Sequence, residues 1–364
     1  MKNNYFPILS LLFFLIACQS NEATYVCPPC DMDCDKLTFD KAGKCPHCNM
    51  TLVLQEDLLA EQALLINEIH VEEGSGSFLI EGGVGQTEKS IQVYYHRPKN
   101  YRANANVLMV IPGAGRNGDR YRDAWIEESE KYGVLILSPK YREQDYDFGA
   151  YHLCNLMYDL NLEGSIEYVE GTNHAKMEEV DFTYQVNDES TTWLFQDFDR
   201  IFDLVVDELD MKTQQYDLFG HSAGGQILHR LAIFYDSPKI NRIVAANSGF
   251  YTLPDLESDL PFGIKNTILE TQDLQAAFRK KMLLFIGELD NAEETGGTLL
   301  RSASADQQGL HRLARGQYFY QQSQTTAKEL EADFNWQIQI IPEVGHDHEK
   351  MGDAAAKYLY ENEQ

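Results

Sequence analysis

The segment Gly220-His221-Ser222-Ala223-Gly224 limits what this chain can fold into more than any other, because of what flanks it. Before it, Tyr216-Asp217-Leu218-Phe219 is apolar enough for a short buried strand. After it, the apolar residues between Gly224 and Phe234 recur at helical spacing. The pattern predicts a strand, a sharp turn and a helix. So tight a turn leaves no room for flanking side chains, which accounts for Gly220 and Gly224, and it lifts the Ser222 hydroxyl above a helix N-terminus. A serine hydroxyl is a poor nucleophile until a neighbouring base removes its proton. The segment therefore demands partners from elsewhere in the chain.

Two downstream segments offer them. Met282-Leu283-Leu284-Phe285-Ile286 is a continuous apolar run of the kind that forms a strand covered on both faces, and Gly287-Glu288-Leu289-Asp290 follows it. Asp290 would emerge past the strand's C-terminal edge, where a carboxylate can accept an imidazole N–H, fix the tautomer and stabilise the imidazolium. Glu288 competes for that role and is the weaker candidate, since such acids sit in the loop just past the strand. Trp336 to Ile341 reads as a further strand, ended by Pro342, which removes a donor from the ladder. The loop after it carries His346 and His348. Two histidines two apart with no third ligand are weak evidence for a metal. His346, after Gly345, is the expected base, and His348 is expected to be solvated or to cap the next helix.

Charge developing on a carbonyl oxygen needs backbone donors fixed in advance. Val107 to Ile111 reads as a strand emptying into Pro112-Gly113-Ala114-Gly115-Arg116-Asn117-Gly118, a backbone that can approach a ligand closely. The Ala223 N–H is one expected donor, and that of Ala114 or Gly115 the other. The glycine spacing fits neither a dinucleotide fingerprint nor a lysine-bearing phosphate loop.

From about Ser77 onward the chain resembles the α/β-hydrolases, in particular their polyhydroxybutyrate-depolymerase-like and feruloyl-esterase-like branch. The likeness lies in Pro112-Gly113-Ala114-Gly115, in Gly220 to Gln226 running into His229-Arg230, in Ala246-Asn247-Ser248-Gly249-Phe250-Tyr251-Thr252-Leu253-Pro254, and in Val344-Gly345-His346-Asp347. It implies an α/β fold, a mostly parallel sheet flanked by helices. It also implies hydrolysis of a small-molecule ester through an acyl-enzyme on Ser222, with Asp290 and His346 as partners and no cofactor for the reaction. Pro112 stands where many members have histidine, which leaves the second oxyanion donor open. A triad does not choose the leaving group, so a peptidase or acyltransferase stays in view, as does a chain that uses the fold only as a scaffold for metal or surface binding.

At 364 residues, 43% of them hydrophobic, the chain can bury one large core and a small appendage. A net charge of -27 argues against nucleic acid as a partner. The appendage lies at the N-terminus. Lys2 precedes the apolar run Ile8 to Ala17, too short for a comfortable membrane span and of the size of a signal-peptide core. Leu15-Ile16-Ala17-Cys18 resembles a bacterial lipobox, which implies a lipid on Cys18 and a chain tethered to a membrane without crossing it. An uncleaved anchor or a plain secretory signal is the alternative. Gln19 points to the outer membrane of a bacterial envelope.

Beyond a polar tether come Cys27-Pro28-Pro29-Cys30, Cys34 and Cys45-Pro46-His47-Cys48. Two C-x-x-C pairs put four thiolates, Cys27, Cys30, Cys45 and Cys48, within tetrahedral reach, the ligand set of a zinc ribbon. Gly43 to Met50 resembles the second half of the small heavy-metal-binding domain of copper-transporting ATPases and efflux adaptors; in the first half Pro29 and Cys30 replace methionine and histidine. A fourth thiolate favours a closed zinc site over copper. Disulfides are the competing account outside the cytoplasm. Cys34 is an alternative ligand or a bystander, and Cys154 reads as a buried small apolar residue.

The expected layout is a signal peptide over 1–17, a tether over 18–24, the Cys-rich domain over 25–54, a linker over 55–75 with helical character, and the hydrolase domain over 76–364. Within the last, Ser77 to His96 reads as a hairpin around Gly82-Gly83, Gly133 to Ser138 and Arg242 to Asn247 as buried strands, and Trp193 to Leu209 as a core-facing helix. The segment 143–192 is long, acidic and aromatic, a lid or binding loop whose Tyr146, Phe148, Tyr151 and Tyr158 either line a pocket or simply pack.

Overall fold

The apolar runs line up as one eight-stranded sheet: β1 (Gly74–Glu81), β2 (Ser90–Arg97), β3 (Val107–Ile111), β4 (Leu135–Lys140), β5 (Tyr216–His221), β6 (Ile240–Ala246), β7 (Met282–Gly287) and β8 (Gln337–Ile341). Its spatial order is β8-β7-β6-β5-β3-β4-β2-β1. From β3 to β8 all neighbours are parallel, and β2 runs against both β4 and β1 at one edge. The structure is a computed structural model and describes residues 23–27, 37–46, 51–58, 66, 69–162 and 164–361. The chain divides into two compact units, 1–63 and 64–364.

Alternation along each strand explains the layers. Met109, Leu137, Leu218, Ala245 and Leu284 face one core, with Phe198 and Phe202 of α2 (Phe195–Glu208), Ile227 and Leu231 of α3 (Ala223–Phe234), and Phe319 of α4 (Arg312–Glu329). Their sequence neighbours Leu108, Val110, Ile136, Phe219, Val244 and Phe285 face the other, with Tyr121 of α1 (Gly118–Asp123) and Met351, Ala355 and Leu359 of α5 (His348–Tyr360). Strands buried on both faces must be apolar throughout, and that is why they were readable as continuous runs. With six parallel strands, every C-terminal strand end lies on one edge. The chain order reverses between β3 and β5, and the crevice outside such a reversal is where open α/β sheets bind ligands.

Two boundaries differ from expectation. The strand read as Gly133 to Ser138 forms over Leu135–Lys140, because Gly133 takes a left-handed φ of 72° and closes the preceding helix Ile126–Tyr132. In the hairpin, the strands run to Glu81 and from Ser90, and residues 82–89 form a longer connection closed by Gly82 N–H to Lys89 O at 2.8 Å and Gln86 N–H to Gly83 O at 2.9 Å.

The segment 143–192 carries structure of its own. Met157–Tyr158 pairs with Gln185–Val186, and His174–Met177 lies between Ile166–Tyr168 and Leu299–Arg301. Tyr146 and Tyr151 are buried against Tyr141, so they pack, while Tyr158 is exposed.

In the N-terminal unit, Tyr25–Val26 lies between Thr38–Phe39 and Val53–Leu54 in a three-stranded antiparallel sheet. Cys27 and Cys45 are buried together with Leu52, beneath Tyr25 and Phe39. Cys18, Cys30, Cys34 and Cys48 lie outside the described residues, as do 59–65, 67 and 68 of the linker. Among the described residues no helix is long and apolar enough to cross a membrane.

Candidate active site

Ser222 follows β5 directly and precedes the first residue of α3, with φ 58° and ψ −117°. A non-glycine residue there costs about 1–3 kcal/mol, held in place by the surrounding packing. The strain is the geometry of the expected elbow. A methyl on Gly224 would overlap the carbonyl oxygens of Ile111 and Pro112, so the helix start can approach the end of β3 only without a side chain. The Ser222 N–H is spent on Ala246 O at 2.9 Å.

The expected acid and the expected base meet. His346 Nδ1 lies 2.8 Å from Asp290 Oδ2. The carboxylate can only accept there, so Nδ1 carries the proton and Nε2 keeps its lone pair. The Asp290 side chain is 1% exposed and its other oxygen, Oδ1, accepts from Arg312 Nη1 at 3.0 Å. Arg312 is itself anchored on the carbonyls of Gly297 and Thr298, both at 3.0 Å. Glu288 is excluded from this arrangement: it is exposed and accepts the Glu343 N–H at 3.0 Å.

Glu294 braces His346 from the other side. Its carboxylate accepts the N–H of His346 at 2.8 Å and of Gly296 at 2.7 Å. Burial pushes this carboxyl up, but those N–H donors and the neighbouring imidazole outweigh it and hold it below the usual range. A depressed carboxyl stabilises the folded loop at neutral pH, a contribution lost as pH falls through the lowered value. Gly297, at φ 61°, lies across the imidazole; a methyl there would come within 2.7 Å of His346 Nε2. Asn173, from the 143–192 segment, donates to Gly297 O at 3.0 Å, so that segment reaches the loop covering the base.

The expected oxyanion donors lie beside Ser222. The backbone of Gly113 is so near that a methyl on it would stand 3.4 Å from Ser222 Cβ. Ala114 and Gly115 follow on the exposed side of that turn, with no backbone partner for their N–H groups among the described residues. Ala223 opens α3, where a first-turn N–H has no intrahelical acceptor.

His348 departs from expectation. Its ring stacks on Tyr121 at 4.4 Å, its Nε2 is buried, and burial lowers its pKa. The cap of α5 is Asp347, whose side chain accepts from the N–H of Glu349 and Lys350. Asp at that position just before a helix is the usual cap signal. Arg312 and Glu294 are site neighbours that no local motif marked, and the buried His221, inside the Ser222 motif but given no role there, has its ring centroid 4.5 Å from that of His346.

Cys154 is fully buried, and burial pushes its thiol up to about 12, as a small apolar core residue requires.

Comparison with known proteins bears on both units. A family model described as heavy metal binding domain matches residues 24–54. The residues present fit such a domain, since two thiols fill most of a core too small to sustain itself without a staple. Among the described residues no group of three or more His, Cys, Asp or Glu converges on one point. No curated protein matches the chain. The solved structure of poly(aspartic acid) hydrolase-1 from Sphingomonas sp. KT-1 matches at 31% identity over 80% of this chain and 100% of its own, with a TM-score of 0.67. That of a poly(3-hydroxybutyrate) depolymerase from Bordetella parapertussis matches at 25% identity over 82% of this chain and 92% of its own, with a TM-score of 0.66. With its eight-stranded sheet, its Ser222 elbow and these relatives, the chain belongs to the α/β-hydrolases, is similar to their polyhydroxybutyrate-depolymerase-like members, and carries a heavy-metal-binding domain at its N-terminus.

Proposed function

We propose that the chain is a serine esterase that cleaves carboxylic esters through an acyl-enzyme on Ser222. The observation that carries the reading is the His346–Asp290 hydrogen bond at the same sheet edge as the strained Ser222. In this mechanism His346 Nε2 takes the Ser222 proton as Oγ attacks the ester carbonyl. Asp290 stabilises the imidazolium, and the N–H groups of Ala223 and of Ala114 or Gly115 receive the oxyanion. The imidazolium then returns its proton to the departing alkoxide, and a water repeats the cycle to release the acid.

The acyl group is uncharged in this reading. Segment 143–192, which reaches the loop over His346, holds twelve Asp and Glu against the single Lys176. An anionic polymer such as the one in the Sphingomonas protein's name would be repelled there. A neutral ester, as in the Bordetella protein's name, would not.

A fluorophosphonate probe is the direct test. It should label the purified chain stoichiometrically, with the modified peptide containing Ser222, and neutral p-nitrophenyl esters should be cleaved. A chain that takes no probe and cleaves no ester refutes the reading.

For the N-terminal unit we propose a structural zinc on Cys27, Cys30, Cys45 and Cys48, and a lipid on Cys18 holding the chain at a bacterial outer membrane. Support for the metal is the family match and the burial of Cys27 and Cys45; support for the anchor is the sequence around Cys18. Elemental analysis should find about one zinc per chain, removable by chelator at low pH. Absence of metal together with absence of free thiols would mean disulfides.

A further inference from the structure

Asn247 stands just past β6, the strand between the one that delivers Ser222 and the one that delivers Asp290, and it is fully buried. Its Oδ1 accepts the Gly287 N–H at 2.8 Å, at the end of β7 and three residues before Asp290. Its Nδ2 donates to Gly345 O at 2.9 Å, one residue before His346, and lies 3.4 Å from His221 Nε2, one residue before Ser222. A single amide side chain thus touches the three chain segments that carry the nucleophile, the acid and the base.

We propose that Asn247 is a positioning residue that sets the mutual spacing of Ser222, Asp290 and His346; the proposal rests on the serine-esterase reading above. The chemistry of the partners fixes which way the amide points. Gly287 N–H only donates and Gly345 O only accepts, so Oδ1 and Nδ2 cannot be exchanged. The lone pair of His221 Nε2 then receives the remaining amide hydrogen, and the His221 proton sits on Nδ1, 3.3 Å from the Tyr121 hydroxyl. Tyr121 in turn takes a hydrogen bond from the Gly113 backbone, at the start of the turn that follows β3. His221 stays neutral in this chain of contacts, through burial first and then the neighbouring His346, His348 and Arg312.

The backbone adds a second reason for asparagine. Asn247 has φ 49°, a left-handed conformation that asparagine tolerates better than most side chains. Its own N–H bonds Phe285 O at 3.0 Å on β7, while the preceding carbonyl, Ala246 O, takes the Ser222 N–H. Side chain and backbone together therefore link β5, β6, β7 and the loop after β8.

Two variants separate positioning from scaffolding. Asn247→Asp keeps the size, the φ tolerance and the bond from Gly287, but faces Gly345 O and His221 with an acceptor. Asn247→Gly keeps the φ tolerance and removes all three contacts. With a neutral p-nitrophenyl ester, both should lose kcat by about 100-fold, the usual cost of misplacing reacting groups by about 1 Å, with KM within about threefold of the parent. The rate of fluorophosphonate labelling at Ser222 should fall in parallel in chains that keep a cooperative melting transition. A folded variant with kcat within threefold of the parent, or one whose loss lies in KM alone, overturns the proposal. Failure of both variants to fold assigns Asn247 to the scaffold and overturns it as well. A parent chain that takes no probe and cleaves no ester removes the serine-esterase reading itself, a result distinct from either.

Discussion

Ser222→Ala is expected to lower kcat on a neutral p-nitrophenyl ester by about a million-fold, the loss found when the nucleophile of a unit like this is removed. The fold should be untouched. Alanine has no Oγ to lose from a structural bond, since Ser222 is tied to the sheet through its backbone N–H and Ala246 O rather than through its hydroxyl. Smaller side chains at φ 58° are no worse strained than serine, so the melting temperature should move by little. Residual activity above about 1% of the parent, in protein shown free of contaminating hydrolase, would remove Ser222 from the chemistry.

Asp290→Asn should cost about 10⁴ in kcat, for a different reason. An asparagine can present its amide hydrogens to His346 Nδ1, which then accepts, so the ring proton moves to Nε2 and the lone pair needed to take the Ser222 proton is gone. A second cost arises at Arg312. Its guanidinium is 2% exposed and would face a neutral amide in place of a carboxylate. Breaking one side of a buried pair typically destabilises by about 3–5 kcal/mol, so this variant should also melt earlier. Assays well below its transition separate the two effects. An Asp290→Asn protein with nearly parental kcat would show that another acid serves the imidazole. Glu288, turned outward to the Glu343 N–H, is poorly placed to be that acid.

Much of the architecture was readable because its strands are hidden on both faces. Leu108 and Met109 point into opposite cores, so both must be apolar, and the run Val107 to Ile111 stands out from its surroundings. Ser222 and Asp290 were readable because each follows such a run at the same sheet edge, whereas His346 follows the partly exposed edge strand β8, marked by its isoleucines and by Pro342. Arg312 was not, since nothing near it in sequence announces that a helix beginning 22 residues after Asp290 returns a guanidinium to the Asp290 carboxylate. Glu294 and Asn247 were hidden for the same reason: their partners are backbone groups brought near only by the sheet order. His348 differs from expectation although the sequence carries the local signal, the capping Asp347 directly before it.

The strand His174–Met177 pairs in register with Leu299–Arg301, and that second strand continues from the loop whose Gly297 lies over the imidazole. The insert and the loop thus behave as one exchangeable cassette. A chimera that borrows 143–192 from a relative has to borrow 291–301 with it, or the graft will arrive with its own edge unpaired and His346 uncovered.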